Sequence, residues 1–144
     1  MEFIIRELML NDSDGIYRLN TDEMGYEFSL DETKEKLLKL INSDSDKIFV
    51  AVIGDEVIGY VHANDYDLIY APHMKNIMGI AVAEKYKRNG VGKALLSEVE
   101  MWAKETNAKG IRLVSGATRT GAHKFYHNCG YDGDKAQINM SKMF

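Results

Sequence analysis

The stretch from Asn76 to Ala103 runs from an apolar segment into an amphipathic one through Gly90-Val91-Gly92, and this junction restricts the fold more than any other part of the chain. Residues Asn76 to Ala83 read as a strand. From residue 91 the pattern changes period: Val91, Ala94, Leu95, Val99, Trp102 and Ala103 fall on one helical face, with Lys93, Ser97, Glu100 and Lys104 opposite, which predicts a helix over 91–106. The first N–H groups of a helix lack intrahelical partners and carry partial positive charge from the aligned peptide dipoles. Glycine at positions 90 and 92 removes the side chains that would keep an anion away from them. The chain carries a net charge of −4, yet Lys85, Lys87, Arg88 and Lys93 crowd this junction. The local reversal of sign is what an anion-binding loop requires.

Spacing separates the kinds of phosphate loop. A Walker loop places Ser or Thr after Gly-Lys and a glycine five residues before the second one; here Ala94 follows Lys93, and Lys87 stands at the first glycine position. A dinucleotide fingerprint needs a third glycine where this chain has Leu95. What remains is Lys87-x-x-Gly90-x-Gly92. A second segment, residues 122–131, reads Ala-His-Lys-Phe-Tyr-His-Asn-Cys-Gly-Tyr. Ala122, Phe125 and Cys129 form one apolar stripe and Tyr126 lies one step round the helix from it, with Gly130 where a left-handed C-cap is expected. The two segments together, in this order and separated by a helix and one strand, resemble the GNAT superfamily of acetyl-CoA-dependent N-acyltransferases.

The resemblance implies an α/β (α+β) fold: a mixed, mostly antiparallel sheet of six or seven strands flanked by about four helices and splayed at the acyl-CoA cleft. It implies an N-acetyltransferase that moves an acetyl group from acetyl-CoA to a primary amine by direct attack. By the same resemblance, the backbones of Ile80 and Val82 would hold the pantetheine arm, and Lys87, Arg88, Asn89, Gly90, Val91, Gly92 and Lys93 the pyrophosphate. Tyr126 matches the family's proton donor to the departing thiolate; a phenol of pKa about 10 opposite a thiol of about 8.5 transfers a proton usefully when aligned. Arg119 stands where relatives often carry an asparagine that reaches the pantetheine, and is open to a phosphate contact or to solvent. Where some relatives have a glutamate base, this chain has Asn76, so no base can be assigned. His73, Asp65, Asp67, Glu27 or a water chain remain as candidates.

Other signals fill in the chain. Phe3–Leu10 reads as a strand, 12–20 as a helix, and Ser29-x-x-Glu32 as a capping box opening a second helix. Ile48–Ile53 and Val57–Ala63 form a hairpin turned by Gly54-Asp55; Ile111–Val114 reads as a buried strand, Tyr131 as the start of the next strand, and Ala136–Met143 as the one that closes the chain. At 144 residues, 45% hydrophobic and with one proline, the chain is expected to form a single domain over 1–144. One cysteine excludes an internal disulfide, and no apolar stretch suits a membrane span, so a cytoplasmic protein is expected. The acidic balance argues against nucleic acid. His123 and His127 have metal-like i, i+4 spacing but no third ligand in sight, and no metal is expected. The family habit would allow a homodimer.

The acceptor is the least determined feature. By resemblance it enters between Asn20–Leu30, Asn64–His73 and Asp132–Lys135. Asp22, Glu23, Tyr26, Glu27, Asp65, Tyr66, Asp67 and Tyr70 there suit a small cationic amine by charge and by cation–π contact. A protein amine as acceptor, and a non-catalytic acyl-CoA-binding or interaction module of the same shape, stand as alternatives.

Overall fold

The computed structural model describes every residue except Asp134, which belongs to the expected acceptor loop 132–135 and lies outside the described residues. The chain forms two compact units, Met1–Leu113 and Val114–Phe144.

In the first unit, β1 (Ile4–Glu7) leads through a 3-10 turn (Leu10–Asp12) to α1 (Ser13–Asp22), α2 (Leu30–Ile41), β2 (Asp46–Ile53), β3 (Glu56–Tyr66), β4 (Met74–Val82), a second 3-10 turn (Glu84–Tyr86), α3 (Val91–Glu105) and β5 (Ile111–Leu113). The five strands lie in sequence order, antiparallel throughout except for the parallel β4–β5 pair. That pair is parallel because α3 carries the chain back across the sheet between them.

Local chemistry accounts for these boundaries. The β2–β3 hairpin turns on Gly54, whose φ of 58° suits glycine. The hydroxyl of Ser29 accepts from the Glu32 amide at 3.1 Å and caps α2. The first strand ends at Glu7, sooner than its apolar run suggests, because Asp12 draws the chain into a 3-10 turn. Its carboxylate takes the Met9 amide at 2.8 Å and both guanidinium nitrogens of Arg6 at 2.8 and 2.9 Å.

The sheet is covered on both faces. Ile16 and Leu19 of α1 and Leu37 of α2 pack on Ile48, Val50, Val52, Val57, Tyr60 and Ala81. Gly15 explains the closeness of α1: a β-carbon there would lie 2.6 Å from Cβ of Val57, so no larger residue fits without movement. On the other face Val91, Leu95, Leu96 and Val99 of α3 are fully buried. Gly59, next to Tyr60 on β3 and so facing the opposite way, would meet Val91 and Leu95 if it carried a β-carbon.

The second unit contains α4 (Thr120–Asn128). Gly130, with φ of 92°, closes it: the Gly130 amide donates to the His127 carbonyl at 3.0 Å and the Tyr131 amide to the Tyr126 carbonyl at 2.9 Å, a Schellman ending. Two expectations need correction. Ile111–Leu113 is half-buried rather than buried, and Val114 is 65% exposed. Neither the strand expected to begin at Tyr131 nor the closing one at Ala136–Met143 is found among the described residues. The described residues after Cys129 enter no ladder, and Ile138, Met140 and Met143 stand at least 85% exposed, so the described residues form five strands rather than six or seven. Alternation alone does not make a strand; such a run must also pair and bury one face, and here Ile138, Met140 and Met143 do neither.

Candidate active site

The β3–β4 register contains a shift that decides which way the end of β4 faces. Asp65, Asn64 and Ala63 oppose Lys75, Asn76 and Ile77, but His62, Val61, Tyr60 and Gly59 oppose Gly79, Ile80, Ala81 and Val82. Met78 is therefore an extra residue in β4. Before it, odd-numbered amides point toward β5, since the Lys75 N–H donates to the Gly110 carbonyl at 3.0 Å. After it the sense reverses: the Ala83 N–H donates to the Ile58 carbonyl on the β3 side at 2.8 Å. By strand alternation the N–H and C=O of Ile80 and Val82 point the other way. The β4–β5 ladder ends at Ile77 and Leu113, so no strand pairs with that edge beyond it among the described residues.

The same strand leads into the glycine loop. The amides of Tyr86 and Lys87 donate to the Ala83 and Glu84 carbonyls, and α3 makes its first internal bond from Ala94 to Gly90 at 3.0 Å. Between them the main-chain N–H groups of residues 88 to 93 have no hydrogen-bond partner among the described residues. Arg88 and Gly90 are left-handed, φ 65° and 80°. Left-handed residues in such a turn aim neighbouring amides into a concavity that suits an anion. For Arg88 this conformation costs about 1–2 kcal/mol. The loop is braced by the Asn89 side-chain amide, which donates to the carbonyls of Tyr86 (3.2 Å) and Lys87 (3.0 Å). Glu23 adds a tie from α1 by accepting the Glu84 amide at 3.0 Å. Lys87 is ion-paired to Glu84 at 2.9 Å and lies 3.8 Å from Glu23, whereas Arg88 and Lys93 form no ion pair within 4 Å among the described residues.

Above Gly79, on the face covered by α1 and α2, the site opens. A β-carbon on Gly79 would meet only the Tyr60 hydroxyl, at 4.0 Å. That hydroxyl donates to Asn20 of α1, and burial pushes its pKa up to about 12. Next on the same face of β3 is His62, whose Nε2 lies 2.7 Å from Asp46 Oδ1. Both rings line a cavity of about 150 Å³ bounded by Ile16, Phe28, Leu37 and Ile48. Neither Tyr60 nor His62 was singled out from sequence. The available signal was a pair of polar residues two apart in an otherwise apolar strand.

Most acidic groups expected to face an acceptor are already engaged. Lys75, only 2% exposed, places Nζ 4.0 Å over the Trp102 ring, 2.5 Å from Asp65 and 3.2 Å from Nε2 of His73. The other nitrogen of His73 lies 2.6 Å from Asp67. Asn76 accepts from Arg112 at 2.7 Å and donates to Asn64, and the Arg112 guanidinium stacks on Tyr66 at 4.4 Å. Asp22 and Glu27 are exposed and make no hydrogen bond or ion pair among the described residues.

In the second unit, Tyr126 lies on α4, its ring 5.2 Å from Phe125 and 6.2 Å from Tyr131. Burial raises its phenol pKa above 10, partly countered by the charge of Arg119, the residue that precedes α4. His123 Nε2 is bonded to the Gly116 carbonyl at 2.9 Å, and His127 Nδ1 lies 4.0 Å from Asp132.

The acetyltransferase (GNAT) family profile matches residues 13–131. The chain belongs to that family. This makes it an acyltransferase of the acetyl-CoA-dependent kind. Among curated proteins, this acetyltransferase is similar to an N-alpha-acetyltransferase of Sulfurisphaera tokodaii, 28% identical over 142 residues that cover 90% of this chain and 80% of that one. Among solved structures it is similar to the aminoglycoside acetyltransferase meta-AAC0020 from an uncultured soil metagenomic sample, in complex with trehalose. The TM-score is 0.86 at 20% identity, covering 99% of this chain and 96% of that one. It is also similar to AAC(6')-Iy in complex with a bisubstrate analogue, with TM-score 0.88, 17% identity and full coverage of both chains. At these identities the structural likeness is one of fold.

Proposed function

We propose that the protein transfers an acetyl group from acetyl-CoA to a primary amine by direct attack, with residues 1–144 acting as one acetyltransferase domain. The family match, 13–131, runs across both compact units. The observation that carries the reading is a pair of unpartnered main-chain stretches on one segment. The open edge at Ile80 and Val82 is followed, across the hydrogen-bonded turn 83–87, by the amides of Arg88, Asn89, Gly90, Val91, Gly92 and Lys93, which have no partner among the described residues. The first stretch suits the amide-bearing pantetheine and the second a diphosphate at a helix N-terminus. Arg88 and Lys93, which form no ion pair within 4 Å among the described residues, add positive charge, while Lys87 supports the loop through Glu84 and Glu23.

In this mechanism the amine attacks the thioester carbonyl, the C–N bond forms and the C–S bond breaks. On the family motif, Tyr126 protonates the departing thiolate; burial keeps its phenol protonated at neutral pH. Arg119 is proposed to contact a phosphate of the coenzyme, as its match to the family's pantetheine-proximal position suggests. No metal takes part in the proposal.

The acceptor is proposed to be a small cationic amine. Asp22 and Glu27, exposed and without a hydrogen bond or ion pair among the described residues, support it. A second reading, the amine of a protein, is favoured by the similarity to an N-alpha-acetyltransferase. Among the described residues no helix is long and apolar enough to cross a membrane, which is compatible with the proposed cytoplasmic location. Release of free thiol from acetyl-CoA, measured against aminoglycosides, polyamines and peptides with free N-termini, tests the reading. Turnover with one class names the acceptor, and a thermal shift with acetyl-CoA without turnover of any amine would leave a binding module.

A further inference from the structure

We propose that His62, oriented by Asp46, accepts the proton that the acceptor ammonium must lose before it attacks. The inference rests on acetyl transfer at the β4 edge and supplies the base that Asn76 cannot.

Three observations converge on His62. Its Nε2 is held 2.7 Å from Asp46 Oδ1, and Asp46 also accepts from the Ser43 hydroxyl at 2.7 Å and the Ser45 hydroxyl at 3.4 Å. Burial opposes the charge on Asp46, but these bonds outweigh it and hold the carboxyl below the usual range. A charged Asp46 requires Nε2 to carry the hydrogen, which leaves Nδ1 with a lone pair. Among the described residues Nδ1 has no hydrogen-bond partner, and the ring lines the cavity beside Tyr60. Finally, His62 lies opposite Gly79 in the register, where β4 carries no side chain and its free edge begins. An amine standing over Gly79 would reach both the thioester and the cavity. The cavity has room for the water that relays the proton, since one water needs only about 10–15 Å³.

His73 fails the same test, because Lys75 and Asp67 engage both of its nitrogens. Asp65 is held by Lys75. The ionisable groups facing His62 are Asp46 from β2, Lys36 from α2 and Tyr60 from β3.

The protons balance. The ammonium gives one proton through water to Nδ1, and the neutral amine forms the C–N bond. The C–S bond breaks, and the thiolate takes a proton from Tyr126, which is replaced by the second proton lost from nitrogen. His62 returns its proton to solvent, so the net products are the amide, free coenzyme A and one H⁺.

The test is steady-state thiol release with the best amine of the panel at saturating acetyl-CoA, for wild type, His62→Gln, His62→Ala and Asp46→Asn, each across pH. The expected result is a fall in kcat of about 10²-fold for His62→Gln. The acidic limb of the wild-type profile should vanish, imidazole should partly rescue His62→Ala, and Asp46→Asn should show a smaller loss. The acetyl-CoA thermal shift serves as the folding control and should not change. If wild type turns over and His62→Gln keeps its rate and its acidic limb, this proposal falls while acetyl transfer stands. A His62→Gln protein that fails to fold, paired with a His62→Ala protein that folds and gains nothing from imidazole, also overturns it. Wild type that releases no thiol with any amine overturns the underlying reading and this inference with it.

Discussion

The main-chain amide of Ala83 donates to the carbonyl of Ile58 at 2.8 Å, whereas at the other end of the same strand Lys75 donates away from β3, to Gly110. Two residues of equal parity thus face opposite edges, and the extra residue Met78 between them is the cause. Were β3 and β4 paired without this bulge, Ile80 and Val82 would bond to β3, and the open edge would carry the groups of Gly79 and Ala81 instead.

Charge at the loop should act selectively. Arg88→Ala and Lys93→Ala are each expected to raise the KM for acetyl-CoA roughly two- to fivefold with little change in kcat, an effect that shrinks in high salt. Lys87→Ala should change KM less at matched stability, because its charge is already paired with Glu84. Initial rates at two ionic strengths decide this.

Tyr126→Phe is expected to lower kcat by about 10²-fold while leaving the acetyl-CoA thermal shift intact. Since burial raises the phenol pKa, loss of wild-type activity from its ionisation should set in at a higher pH than for a free phenol. A pH profile of kcat for both proteins checks the pair of expectations.

Much of this was legible in the sequence, for unequal reasons. The junction at Gly90 and Gly92 was readable because a change of period and two glycines are local signals, and α3 begins at Val91 as expected. The Gly130 ending of α4 was readable for the same reason. The bulge at Met78 was not, since register depends on which strand lies alongside. His62 and Asp46 are sixteen residues apart and meet only through strand pairing. The partners of the acidic loop residues were not legible either, because sequence shows Asp65, Asp67 and Glu23 but not Lys75, His73 and the Glu84 amide that engage them.

Packing of α1 offers a sharp stability test. Gly15→Ala places a β-carbon 2.6 Å from Val57 and is expected to destabilise by about 1–3 kcal/mol despite the better helix propensity of alanine. Combined with Val57→Ala, the penalty should be less than the sum of the two single changes. Denaturant unfolding of the three variants measures the coupling.

Asp12 should contribute to acid sensitivity. Burial raises its pKa, but the bonds from Arg6 and the Met9 amide dominate and set it below the unfolded value. Its contribution is therefore complete above the unfolded pKa of about 3.9 and lost as pH falls through the lower folded value. Asp12→Asn should cost about 2–3 kcal/mol at pH 7, with a difference from wild type that narrows below pH 4, in unfolding followed by circular dichroism.

The most direct measurement is a ¹H–¹⁵N spectrum of the labelled protein titrated with coenzyme A. The account predicts that the amides of Ile80, Val82, Gly90, Val91, Gly92 and Lys93 move together and in a saturable manner. Saturable shifts confined to other residues, or none at millimolar ligand, would contradict it.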